Sequence, residues 1–131
     1  MSANCIFCKI IKGQIPSHKL LETDLVYAFL DISPVSKGHV DHAQFLHQVP
    51  DESLAALLPA AKKIAAALGA ENYNILQNNG RIAHQAVDHV HVHVIPKTET
   101  SGLGIVWPNT SPSQDELTRI ATEIKDKVAH L

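Results

Sequence analysis

At 131 residues, 45% hydrophobic and 18% charged, the chain has the size and balance of a single globular domain, which excludes wholesale disorder and a membrane class. Eleven Lys plus Arg against thirteen Asp plus Glu leave a formal net charge of -2, so a nucleic-acid polymer is not expected as the main partner, and any phosphate must be gripped locally. No stretch approaches about 18 apolar residues, and no basic segment leads into an apolar run at the start, so neither a membrane partner nor export is expected.

In chain order, the first feature is the pair Cys5-x-x-Cys8, the only two cysteines, which in a reducing compartment reads as metal or redox chemistry before structural disulfide. Alternatively the two pack as small apolar side chains. "HKLLETDLVYAFLDISP" alternates around Glu-Thr-Asp and predicts a hairpin ending at Pro34. "DESLAALLPAAKKIAAAL" predicts a helix over 51–68, capped by Asp51 and stopped by Gly69. Leu54, Leu57, Leu58, Ala61, Ile64, Ala65 and Leu68 line one face, with a kink at Pro59. "NYNILQNNG" predicts a strand running into an Asn-Gly turn, and "VDHVHVHVIPK" a further strand ending at Pro96. After a loop rich in Gly, Ser, Thr and Pro, residues 114–130 space Leu117, Ile120, Ala121, Ile124 and Val128 as one stripe of an amphipathic helix. The order predicts one α+β domain over 1–131 with a mostly antiparallel sheet, residues 109–131 forming a C-terminal helical extension.

The chemistry concentrates in "HVHVHV". On a strand, His89, His91 and His93 project to one face at steps of about 6.6 Å, while Val90, Val92 and Val94 project to the other. A single strand histidine needs no explanation, but three in strict alternation suit a site where a proton, a metal or a phosphoryl group is handled. Spacing leaves two chemistries open: imidazoles presented to a catalytic zinc, or one imidazole attacking an electrophile while its neighbours set its tautomer. "LDISP" and "QNNG" bring an acid and three amides, which suits hydroxyl and phosphate recognition better than a bare metal site.

With its flanking segments "CIFCKIIKGQIPS", "AFLDISPVSKGH", "YNILQNNGRIAHQ", "HVIPK" and "WP", the histidine row resembles the histidine triad (HIT) superfamily, in its nucleotide-binding, Hint-like adenosine phosphoramidase branch, over roughly residues 4–108. The resemblance implies an α+β homodimer with a sheet of about five strands, a main helix and a C-terminal helix. It also implies a hydrolase that cleaves purine nucleoside 5'-monophosphoramidates through a nucleotidyl-histidine intermediate, with no cofactor for catalysis. His91 matches the nucleophile; His93 and His89 flank it, and His39 matches a further histidine of the site. Asp31 matches the acid that holds the ribose hydroxyls, Ile32 lies against base or sugar, and Asn78 and Gln85 belong to the phosphate surroundings together with His91 and His93. In zinc-containing relatives a structural zinc takes the counterparts of Cys5, Cys8, His42 and His89. A cytoplasmic and also nuclear location goes with the same branch.

The pattern departs from the family in two places. About five residues of an apolar strand are missing between Gly38-His39 and Asp41-His42, which leaves the positions of His39 and His42 open and makes a shortened strand an expectation. Asp41 to Gln48 is a candidate substitute for it in the sheet, although its composition suits a strand poorly. Ala86 stands where many relatives carry a hydroxyl or an acid, which would slow protonation of the leaving group. Two other functions therefore compete with the hydrolase: a catalytically weak nucleotide-binding or protein-interaction module, and a zinc-dependent hydrolase with His89, His91 and His93 as ligands. Trp107-Pro108 matches a segment reaching toward the partner's site, or else anchors its loop on the core. His18, His47, His84 and His130 read as surface residues.

Overall fold

The N-terminal segment folds as a helix that the sequence reading does not assign, α1 (Ile6–Ile11), released at Gly13 with φ 69. Six residues hold few helical hydrogen bonds, so the helix owes its existence to what it buries. Phe7, Cys8 and Ile10 enter one cluster with Cys5 and Phe29. The computed structural model describes residues 4–30, 43–108 and 110–131. Asp31, Ile32, His39 and His42, and the shortened stretch after His39, lie outside the described residues.

The expected hairpin is β1 (His18–Glu22) against β2 (Tyr27–Leu30). Thr23 closes it: its Oγ1 accepts the Leu25 and Val26 N–H groups at 3.2 and 3.0 Å. The register slips between Lys19 and Leu21, a bulge that leaves Leu20 exposed while Leu21 packs against the core.

Helix α2 (Asp51–Leu68) has the expected bounds, and Gly69 follows it in the left-handed region at φ 62. The cap position falls on Pro50, so Asp51 is the first helical residue and not the cap. The buried face is also rotated from the expected one. Ser53, Leu57, Ala60, Ala61, Ile64 and Ala65 are buried, while Leu58 is 62% exposed and Leu68 half exposed. The reason lies in what the helix packs on. Val92 meets Leu57 and Ala60, and Val94 meets Ala61 and Ala65, so the close approach selects the alanines and turns the bulkier leucines aside.

Strand β3 (Tyr73–Gln77) pairs antiparallel with β4 (Val92–Pro96), Tyr73 opposite Pro96 and Gln77 opposite Val92. Asn79-Gly80 is therefore not a tight hairpin turn. The strands are joined by residues 78–91, which include a 3-10 turn at Arg81–Ala83. The histidine row is only partly strand, because β4 starts at Val92: His93 lies in the ladder, His89 and His91 before it. Beside that stretch runs the chain that resumes after the shortened segment, and Val90 N–H donates to the Ala43 carbonyl at 2.8 Å. Residues 43–48 are not a strand as such; they end in a 3-10 turn at Leu46–Gln48.

Helix α3 (Gln114–Val128) begins at Ser113, whose Oγ accepts the Glu116 N–H at 3.2 Å. Its stripe of Leu117, Ile120, Ile124 and Val128 is exposed along its length. The described residues thus hold four strands in two antiparallel pairs, with α2 packed on β4, in the α+β class expected.

Because Val94 is buried between Ala61 and Ala65, two small residues with little freedom to close a gap, Val94→Ala is expected to lower stability by about 2 kcal/mol in denaturant titration. Leu58→Ala, on the exposed flank of the same helix, is expected to change it by less than about 0.5 kcal/mol.

Candidate active site and metal centre

The valine side of "HVHVHV" is buried as expected: Val90 against Ala43 and Val49, Val92 and Val94 against α2. The histidine side is covered by α1. Phe7 stands edge-on to two of the rings, its centroid 5.9 Å from that of His89 and 5.2 Å from that of His91. The His91 and His93 rings meet edge to face at 4.8 Å. The three imidazoles thus form one continuous row, although only the last of them belongs to the ladder. His89 and His91 are 1% and 4% exposed, and His93 is half-buried, so the row opens toward its His93 end.

One contact fixes the chemistry of the middle ring. His91 Nδ1 lies 2.5 Å from the His89 carbonyl oxygen. A carbonyl oxygen only accepts, so Nδ1 carries the proton. When the ring is neutral, that proton on Nδ1 puts the lone pair on Nε2, the tautomer a nucleophile or a phosphate-facing base requires.

His89 is turned the other way, with Nδ1 3.5 Å from Cys5 Sγ and 3.6 Å from Cys8 Sγ. Both thiols are buried and free of any disulfide. Burial pushes the Cys8 thiol up, and the hydrogen bond with Cys5 adds to the rise. Among the described residues these three side chains could hold a metal ion, their ligand atoms lying within 4.8 Å of one another. The spacing fits zinc: bonds of about 2.3 Å to sulfur and 2.0–2.1 Å to nitrogen at tetrahedral angles separate S from N by about 3.5 Å. Three of the four expected metal ligands are therefore assembled, and the fourth, His42, lies outside the described residues. His89, His91 and His93 do not form a metal-capable group among the described residues, which removes the geometric basis for a catalytic zinc held by the row.

The loop leading into the row is held from inside by Gln85, which is 1% exposed. Its Oε1 accepts the Gly80 N–H at 2.6 Å and its Nε2 donates to the Gln44 carbonyl at 2.7 Å, so its amide joins the loop to the segment beside Val90. Asn78, at the end of β3, donates from Nδ2 to the His84 carbonyl at 3.4 Å. Asn79, one of the three amides of "QNNG", accepts the Leu46 N–H at 2.8 Å. Ala86 is exposed. Phe7 also escapes the sequence reading; its signal is its place between the two cysteines, where one turn of helix aims it at the row. Of the remaining expectations, Trp107 is 80% exposed, which overturns its role as an anchor on the core. His18, His47, His84 and His130 are all exposed.

The described residues form a small α+β domain in which the chain entering β4 aligns His89, His91 and His93 under α1, with a Cys-Cys-His cluster at the His89 end of the row. The HIT domain family model matches residues 12–100, and the chain belongs to that family. It is 55% identical over 131 aligned positions to the adenosine 5'-monophosphoramidase hnt1 of Schizosaccharomyces pombe, covering 95% of this chain and 98% of that protein. The adenosine 5'-monophosphoramidase of Saccharomyces cerevisiae is 50% identical, with 98% of this chain and 85% of that protein covered. Among solved structures, the histidine triad nucleotide-binding protein of Candida albicans superposes with a TM-score of 0.87 at 47% identity, over 97% of this chain and 99% of that one. A zinc-bound histidine triad family protein of Mycobacterium smegmatis superposes at 0.68 with 29% identity, over 95% and 97% of the two chains. Cys5 and Cys8 precede the family match, so the Cys5-Cys8-His89 group joins the family domain to the helix in front of it.

Proposed function

We propose that this protein hydrolyses nucleoside 5'-monophosphoramidates, purine nucleotides foremost, by covalent catalysis at His91. The observation that carries the reading is the bond from His91 Nδ1 to the His89 carbonyl, which in the neutral ring reserves the lone pair for Nε2, with the His93 ring alongside. The names of the fungal relatives supply the substrate class. In the first half-reaction Nε2 attacks the α-phosphorus, the phosphorus-nitrogen bond to the leaving group breaks, and the departing amine takes a proton. His93, at the open end of the row, faces the phosphoryl oxygens and serves that proton transfer. Water then cleaves the nucleotidyl-histidine bond, yielding the nucleoside monophosphate and the free imidazole. Asp31 holds the ribose hydroxyls, with Ile32 against the sugar or base and His39 completing the site. Asn78 and Gln85 keep the loop facing the phosphate in place through the bonds described above.

Cys5, Cys8 and His89, with His42 as fourth ligand, hold a structural zinc, whose service is to tie α1 to the histidine row. Catalysis itself takes no cofactor. The working unit is a homodimer, for which the exposed Val106 and Trp107 supply apolar surface. A reducing compartment, the cytoplasm and with it the nucleus, suits a free buried thiol pair kept for a metal.

Mass spectrometry of protein quenched during turnover of adenosine 5'-phosphoramidate tests the mechanism. A mass increase of one adenylyl group, mapped to His91, is expected. Nucleotide binding without turnover above buffer would replace the hydrolase by the binding module that Ala86 makes a competitor.

A further inference from the structure

Gln85 holds the loop before the histidine row from within; Arg81 holds it from outside. Arg81 Nη1 donates to the Ala86 carbonyl at 2.7 Å, and Nη2 pairs with Asp88 Oδ2 at 3.0 Å. The guanidinium thus spans the loop 81–88 from its first residue to the one immediately preceding His89. The loop is under local strain that needs such holding: His84 sits at φ 64, the only described non-glycine residue at positive φ, a conformation disfavoured by its Cβ. Little else covers this side, since Ile82 is fully exposed and a cavity of about 420 Å³ opens between Arg81, Ala86 and Asp88 and the Cys5–Ile6 end of α1.

We propose that Arg81 is a positioning residue for the reaction, acting through Ala86 and Asp88; the inference rests on the phosphoramidase reading above. A trans peptide is planar, with its carbonyl and N–H on opposite sides, so fixing the Ala86 carbonyl on Arg81 also fixes the direction of the Val87 N–H. Asp88, tied to the same guanidinium, sets the angle at which the chain enters His89. The His89 carbonyl is the acceptor that selects the His91 tautomer, so any swing of the loop reaches the nucleophile through a single peptide. Two fixed, divergent donors are what a guanidinium offers and an ammonium does not. As both partners of the ion pair are largely exposed, the pair adds little to global stability, and its effect falls on loop geometry.

The test compares Arg81→Ala, Arg81→Lys and Asp88→Asn with the wild type in steady-state hydrolysis of adenosine 5'-phosphoramidate, alongside thermal melts. Arg81→Ala is expected to lower kcat about tenfold with KM within about twofold, the scale of one lost charge-assisted hydrogen bond. Arg81→Lys should stay low, Asp88→Asn should fall less than Arg81→Ala, and millimolar guanidinium should restore part of the Arg81→Ala rate. Melting temperatures should stay close to the wild type. Wild-type kcat in Arg81→Ala, or full restoration by lysine, would overturn the role. Should Arg81→Ala not fold, the lysine variant and Asp88→Asn decide alone: wild-type kcat in both overturns the proposal. A wild type without turnover would sink the phosphoramidase reading itself, an outcome distinct from an active wild type with indifferent variants.

Discussion

His91→Ala is expected to lower phosphoramidase turnover by about 10⁴-fold and to abolish the adenylyl adduct, while nucleotide affinity falls far less. The size follows from the role proposed for the residue: removing a nucleophile closes the covalent route, and what survives is binding and charge stabilisation. The ring is also part of the core, edge-on to Phe7 and His93, so alanine leaves a cavity as well as a missing lone pair. His91→Gln separates the two effects, since it refills most of the volume without offering a nucleophilic nitrogen. Both variants should be equally inactive, and glutamine should melt closer to the wild type. His93→Ala, by contrast, should slow the reaction but keep the adduct detectable, because its ring assists from the open end of the row. Adduct formation in His91→Ala would move the nucleophile elsewhere and take the tautomer argument with it.

The same ring shows where sequence reasoning succeeds and where it stops. Period-two alternation placed His89, His91 and His93 against the valines, and that division holds: the valines pack on α2, Ala43 and Val49, the imidazoles under α1. Alternation did not reveal that strand pairing begins only at Val92, because a ladder depends on a neighbour, and the partner strand β3 ends at Gln77 opposite Val92. The bounds 51–68 of the helix were legible, since a Gly stop and an apolar period agree, although the cap falls on Pro50 and not on Asp51. Its buried face was not, because a pattern of leucines says nothing about how closely Val92 and Val94 approach. Helix α1 escaped detection for the opposite reason: six residues carry too little periodicity, and only the burial of Phe7, Cys8 and Ile10 makes the turn persist. The site was legible where motif and family resemblance coincided, at the histidines and Cys-x-x-Cys. The long-range partners of Gln85 and Asn79 were not, as Gln44 and Leu46 join them only through the fold.

Loss of the zinc proposed at Cys5, Cys8 and His89 should be the largest stability effect in the molecule. Purified protein is expected to carry about one zinc per chain by elemental analysis, and Cys8→Ser to carry none and to melt at least about 10 °C lower. The magnitude follows from linkage. A ligand held only by the folded chain adds its binding free energy to stability, and a loss of about 3 kcal/mol moves the midpoint of a domain this size by roughly that much. Serine is the informative replacement, because it keeps the volume and a donor but forfeits the thiolate that zinc selects. The buried Cys8 thiol resists ionisation, so without metal it offers no thiolate charge to hold the cluster together, and α1 loses its tie to the row. A strong chelator should reproduce the melting shift in the wild type. Because the cluster engages His89 through Nδ1 and leaves His91 outside it, chelated protein assayed well below its lowered midpoint should retain turnover. Turnover that falls in step with zinc content at a temperature where the chain stays folded would instead make the metal catalytic. An unchanged midpoint in Cys8→Ser would reduce the thiols to packing.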